Sequence, residues 1–162
     1  MTITKVKDYL RRVIGFTDNK RVIASLDFSG QELCIAAAVS QDKEMLDVLF
    51  RKKYEPYIKD DNTGELILDS QGNKIKDPRT DLHIQAACAI FPHLNEIPLT
   101  KLTEAANELL PSGMKLRSAG KILNFSIIYG KGVNGFAEDF SVSVDEAQEI
   151  LNSYFNKFHG LK

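Results

Sequence analysis

Between Leu109 and Ala137 the chain carries no acid, and four residues of that stretch stand four apart: Arg117, Lys121, Phe125 and Tyr129. The pattern around them predicts a helix over 114–130. At about 100° per residue, positions four apart drift by only ~40° per step, so these four side chains form one stripe about 120° wide. Leu116, Leu123 and Ile127 gather on the opposite side, the face for a core. Two cations and two rings are thus presented together, away from the packing face. Cations followed by flat rings suit a ligand with phosphates at one end and a base at the other. Lys and Arg supply charge and donors, and a ring supplies a stacking surface. The plainer reading of the same spacing is an amphipathic helix with a solvated cationic face.

The rest of the chain frames this helix. Arg21–Phe28 is apolar and β-branched and reads as a strand, preceded by a turn at Asp18-Asn19-Lys20. Ser29 and Glu32 have capping-box spacing, which predicts a helix from about Gly30 into the forties. Residues 54–80 carry two turn signals, Asp61-Asn62-Thr63-Gly64 and Ser70-Gln71-Gly72-Asn73, around Leu66-Ile67-Leu68. They read as a β-hairpin excursion on the surface. Helical patterns follow over 81–91, 100–110, 114–130 and 143–158. The last opens with a second capping box, Ser143 to Glu146, and closes at Gly160. Pro78, Pro92, Pro98 and Pro111 fall between these segments, where breakers belong. The expected fold class is α+β and mainly helical.

Length and composition narrow the classes. At 162 residues the chain has room for one domain or two small ones. An apolar share of 43% is too high for a disordered chain. The longest apolar run, Leu33–Val39, is far shorter than the ~20 residues of a membrane helix, and the N-terminus has no apolar signal core, so no membrane partner is expected. Cys34 and Cys88 make no metal spacing and read as buried free thiols in a reducing compartment. A net charge of −1 argues against a protein that coats nucleic acid generally, and leaves room for a local basic site.

Three further residues invite chemistry. Asp27 ends the apolar strand just before a helix, where a carboxylate can bind Mg²⁺; serving a turn is the alternative. Glu32 suits a capping box. Asp81 is a plausible helix N-cap, with His83 in the first turn after it.

Taken together, these motifs resemble family A DNA polymerases, the group of bacterial DNA polymerase I and many phage replicases. Arg117-Ser-Ala-Gly-Lys121-Ile-Leu-Asn-Phe125-Ser-Ile-Ile-Tyr129-Gly130 resembles their fingers helix, motif B. Asp27-Phe-Ser-Gly-Gln-Glu32-Leu resembles their motif A. Asp81-Leu82-His83 resembles the Asp-Ile-His between the two, and Arg11-Arg12 matches the lead-in. The order is right, over roughly residues 10–160.

The resemblance implies a palm segment with motif A over 1–53, a hairpin insertion of phage type over 54–80, and fingers helices over 81–162. It implies template-directed transfer of nucleotides from dNTP to a primer 3′-hydroxyl, with primer-template DNA as partner, in the cytoplasm of a bacterial or phage-infected cell. Asp27 would be one of two palm carboxylates that hold a catalytic Mg²⁺ pair, with the Phe28 backbone carbonyl adding a ligand. Arg117, Lys121 and His83 would contact the triphosphate, and Lys121 would assist proton transfer to pyrophosphate. Phe125 would stack by the sugar and base, and Tyr129 would sit at the templating position. Glu32 would abut C2′ and reject a ribose hydroxyl, which argues against an RNA polymerase relative. Gln31 and Ser29 would help place the sugar and strand. A Phe at 125, rather than a Tyr, goes in this family with poor use of dideoxynucleotides.

The match has departures. Ser126 stands where the family has Gly, and Cys34 where it has Arg. The second carboxylate motif, His-Asp-Glu, is missing, and the chain contains no His-Asp pair. One Asp cannot hold two metals, so the chain alone is expected to be incomplete, with a second polypeptide or missing segment carrying the remaining palm and thumb. The alternative is a non-catalytic nucleotide- or DNA-binding remnant, or a split-polymerase subunit.

Overall fold

A computed structural model describes residues 30–162. The expected strand Arg21–Phe28, Ser29 with its capping box, Arg11-Arg12 and the metal positions Asp27 and Phe28 lie outside the described residues. Within them the fold is mainly helical: α1 (Gln31–Ser40), α2 (Lys43–Tyr54), α3 (Leu82–Ile90), α4 (Leu99–Ala105), α5 (Leu116–Ile128), α6 (Val133–Phe140) and α7 (Val144–Lys157). None of these helices is long and apolar enough to cross a membrane.

The first expected helix is two. Gln41 takes the left-handed conformation (φ 53°), and the Asp42 carboxylate then accepts from the Met45 N–H at 2.9 Å, starting α2 anew. An Asp side chain that satisfies the first turn of a following helix competes with continuation of the preceding one. Arg51, Lys52 and Lys53 close α2 at the end that the helix dipole makes negative. Cys34 is exposed, against expectation, because Leu33 and Ala37 are the α1 residues turned to the core; Cys88 is buried as expected.

No strand forms over 54–80, and the two-stranded hairpin expected there is replaced by three short passes joined by isolated antiparallel bridges: Tyr57 with Lys76, Lys59 with Leu66, and Leu68 with Lys74. Three isoleucines close a ring of backbone bonds. Ile58 donates to Ile75 at 3.0 Å, Ile67 to Ile58 at 3.0 Å, and Ile75 to Ile67 at 3.2 Å. Asp60 and Asp69 organise the turns by accepting backbone N–H groups at 2.8–2.9 Å, which holds both carboxyls below their usual pKa. With one bridge per pair of passes, there is no ladder long enough to make a strand.

α3 is the central helix. Leu82 and Ala86 face one core with Leu123, Phe136, Leu151, Tyr154 and Phe158. Ile84, Ala87 and Cys88 face a second core with Leu94, Leu102 and Leu116. A helix that is apolar nearly all round is buried on both sides. The pattern at 100–110 ends as a helix at Ala105, because the chain then turns through Pro111–Gly113 and returns to start α5. Leu116 and Arg117 donate to the Glu108 and Ala106 carbonyls at 3.1 and 2.8 Å, so the backbone caps α5. α6 is an element the sequence patterns did not signal. α7 carries the expected capping box, with Ser143 and Glu146 bonded reciprocally.

Candidate nucleotide-binding site

The contact between α3 and α5 sets the site. Gly120 lies where a Cβ would come within 2.7 Å of the Ala87 backbone nitrogen and closer still to the His83 carbonyl, so only glycine lets the two backbones approach this far. That approach places the first turn of α3 against the middle of α5. Asp81 caps α3 with one carboxylate oxygen, which accepts from the His83 and Ile84 N–H groups at 2.8 and 3.3 Å. Its other oxygen accepts Nε of Arg117 at 2.8 Å and pairs with the guanidinium Nη2 at 2.8 Å. One residue thus starts α3 and ties it to the head of the stripe.

The stripe is real and continuous. Lys121 Nζ stands 5.9 Å from the centre of the Phe125 ring. The Phe125 and Tyr129 rings lie 6.2 Å apart and nearly parallel, at 17°. His83 faces Phe125 from α3, ring centres 6.0 Å apart. Lys121, Phe125, Ser126 and Tyr129, with Lys131, line an open groove of about 660 Å³. Of the four cations in the acid-free stretch, Arg117 pairs with Asp81 and Lys131 with Asp139 at 2.6 Å, both acids outside that stretch. Lys121 makes no ion pair among the described residues. The Tyr-Gly that ends the motif has a backbone reason as well. Gly130 adopts φ 70°, its N–H donates to Ile127, and the Lys131 N–H donates to Ser126 at 2.8 Å, the pattern of a Schellman helix end.

Arg117 and His83 line a second cleft, of about 530 Å³, with Gly30, Lys52, Tyr57 and Lys76. Gln31 and Glu32 are exposed in the first turn of α1. Glu32 borders an apolar cleft with Ile35, Ile127 and Ile128, at the C-terminal end of α5. The fold therefore brings Arg117, Lys121, Phe125, Tyr129 and His83 onto one face and sets Glu32 beside the end of the same helix. Among the described residues no group of three or more His, Cys, Asp or Glu could hold a metal ion, so the described donor set does not itself fit Mg²⁺.

Beneath the face is a buried polar chain that no local sequence pattern marks. Tyr154 Oη donates to Asn124 Oδ1 at 2.7 Å, and Asn124 Nδ2 lies 3.1 Å from both the Leu82 carbonyl and His83 Nδ1. Burial lowers the His83 pKa; Asp81 opposes the shift, and Arg117, Lys121 and Lys52 add to it. Burial, and the Asp42 charge to a lesser degree, push the Tyr154 phenol well above its usual value. The one hint in the sequence is Gly120 and Asn124, four apart within a helix and on neither the cationic stripe nor a loop.

The model of DNA polymerase family A matches residues 2–162. The chain is 24% identical to DNA polymerase I of Caldicellulosiruptor bescii over 153 residues, 94% of this chain and 13% of that protein. It is 25% identical to the DNA polymerase of Mycobacterium phage D29, over 95% of this chain and 18% of the relative. It is 26% identical to DNA polymerase theta of Drosophila melanogaster, over 90% of this chain and 5% of the relative. The chain spans less than a fifth of the length of these relatives. With residues 2–162 covered by one family model, this chain belongs to DNA polymerase family A.

Proposed function

We propose that this chain carries the nucleotide-binding face of a DNA-directed DNA polymerase, which transfers a nucleotide from a dNTP to a primer 3′-hydroxyl under the direction of a DNA template. The supporting observation is the open face on which Lys121, Phe125, Tyr129 and His83 converge. In this reading Lys121, His83 and Arg117 take the triphosphate. The Arg117–Asp81 pair is partly exposed, and such a pair contributes no more than about 1 kcal/mol, so a phosphate can compete for the guanidinium. Lys121 also donates toward the departing pyrophosphate. Phe125 stacks beside the sugar and base, Tyr129 takes the templating position, and Gln31 and Glu32 border the sugar, Glu32 rejecting a ribose. Asp27 and the Phe28 carbonyl are the proposed Mg²⁺ ligands, and the metal would supply activation of the 3′-hydroxyl and charge neutralisation. The division into palm segment 1–53, insertion 54–80 and fingers 81–162 belongs to the same proposal. No observation supports a separate partner polypeptide.

Titration of dATP with Mg²⁺ into the parent and into Lys121→Ala tests the face. Loss of a charge-assisted phosphate contact should weaken binding about tenfold; equal affinities would overturn the reading. Primer extension by the 162-residue chain alone tests its sufficiency. The chain holds no His-Asp pair, so no extension is expected, and robust synthesis would refute that expectation. Synthesis restored by joining a segment with the second carboxylate pair would separate a polymerase from a binding remnant.

A further inference from the structure

The Leu82 carbonyl can only accept a hydrogen bond, so the Asn124 atom 3.1 Å from it is the amide nitrogen. That orientation leaves Oδ1 facing the Tyr154 hydroxyl, which donates to it at 2.7 Å. The second amide hydrogen then meets His83 Nδ1 at 3.1 Å, and that ring nitrogen must accept. A neutral imidazole whose Nδ1 accepts carries its proton on Nε2. Asn124 and Tyr154 are both fully buried, and no buried side-chain polar atom among the described residues lacks a partner. The chain Tyr154–Asn124–His83 therefore has one direction of donation from end to end.

We infer that Asn124 and Tyr154 are positioning residues that hold His83 as the neutral Nε2–H tautomer, so that the ring offers a phosphate oxygen a fixed hydrogen-bond donor. This rests on the proposed nucleotide site. Nδ1 is turned inward to Asn124, and Nε2 lies on the far side of the ring, which borders the cleft with Arg117. The charged and titratable groups facing His83 are Asp81 at its own helix start, Arg117 and Lys121 from α5, and Lys52 from α2, with Lys76, Tyr57 and Cys34 lining the same cleft. Arg117, Lys121 and Lys52 are cations that already attract phosphate. A neutral donor adds direction to that site without a further positive charge to desolvate. The buried phenol of Tyr154 keeps its proton across the working pH range, so the relay does not reverse.

Imidazole nitrogen shifts of the ¹⁵N-labelled chain read the tautomer directly. The chain has three histidines, and His83 is assigned by its loss in His83→Gln. The parent should show protonated Nε2 and bare Nδ1 at pH 7. Protonated Nδ1, or an equal mixture, overturns the inference, and this measurement needs no variant of the relay to fold. In Asn124→Asp a carboxylate replaces the donor and demands Nδ1–H. The His83 titration midpoint should then rise by a pH unit or more, a tenfold change in proton affinity; an unmoved midpoint overturns the inference. Tyr154→Phe should weaken dATP binding about threefold in the parent and not at all in the His83→Gln background. An equal loss in both backgrounds would mean Tyr154 does not act through His83. If dATP fails to bind while the tautomer is as expected, the nucleotide site falls and the relay stands. If dATP binds while His83 shows the other tautomer, the relay falls and the nucleotide site stands.

Discussion

His83 shows how burial gives one side chain a pH signature. Its ring is half-buried between α3 and α5 and its pKa lies below the ordinary value of about 6.5, through loss of solvation first. The unfolded chain therefore binds a proton at His83 near pH 6.5, and the folded chain only at lower pH. Stability contributed by the neutral ring is complete above about pH 6.5 and is lost as the pH falls toward the folded-state pKa. Urea unfolding at pH 7 and pH 5.5 should show the parent losing more stability than His83→Gln over that interval. An equal loss in both would contradict the half-buried neutral ring. Of the site residues, the stripe and the Asp81 cap were legible because each depends on neighbours within four positions. The second bond of Asp81, to Arg117, was not, since its partner is 36 residues away.

At the scale of elements, the contact of α3 with α5 rests on a missing side chain. The Cβ of Gly120→Ala would overlap the His83 carbonyl and the Ala87 nitrogen, both backbone atoms that cannot turn aside. Alanine favours an isolated helix by about 1 kcal/mol over glycine. Overpacking costs about 1–3 kcal/mol, and a backbone clash stands at the upper end. Gly120→Ala should therefore destabilise the protein on balance, by about 2 kcal/mol in chemical denaturation, and should weaken dATP binding by separating His83 from Phe125. A neutral or stabilised variant would show that the helices do not approach this closely. Caps were readable in advance at Asp81 and Ser143, where an oxygen reaches N–H groups two or three residues on. The Asp42 cap, which divides α1 from α2, was hidden inside an apparently continuous helical pattern.

For the whole molecule, Asp42 is a clasp. One oxygen caps α2, and the other accepts the Gly160 N–H at 2.7 Å, 118 residues along the chain. Gly160 fits there because a Cβ would come within 2.9 Å of both the Asp42 Cα and the Ser40 carbonyl. Asp42→Ala should remove a cap worth about 1 kcal/mol and leave a second N–H unpaired at about 1–3 kcal/mol. A total loss of about 2–4 kcal/mol is expected by urea unfolding, against about 1 kcal/mol if the C-terminal contact carries nothing. The sequence by itself determined the Asp81 cap, the Ser143–Glu146 capping box and the cation-and-ring stripe. Each arises from interactions within one or two turns, and these motifs carried the family resemblance. Tertiary structure alone decided the close crossing at Gly120, the Tyr154–Asn124–His83 chain and the Asp42–Gly160 clasp. Their partners are distant in the chain, and no local period marks which residues packing will bring together.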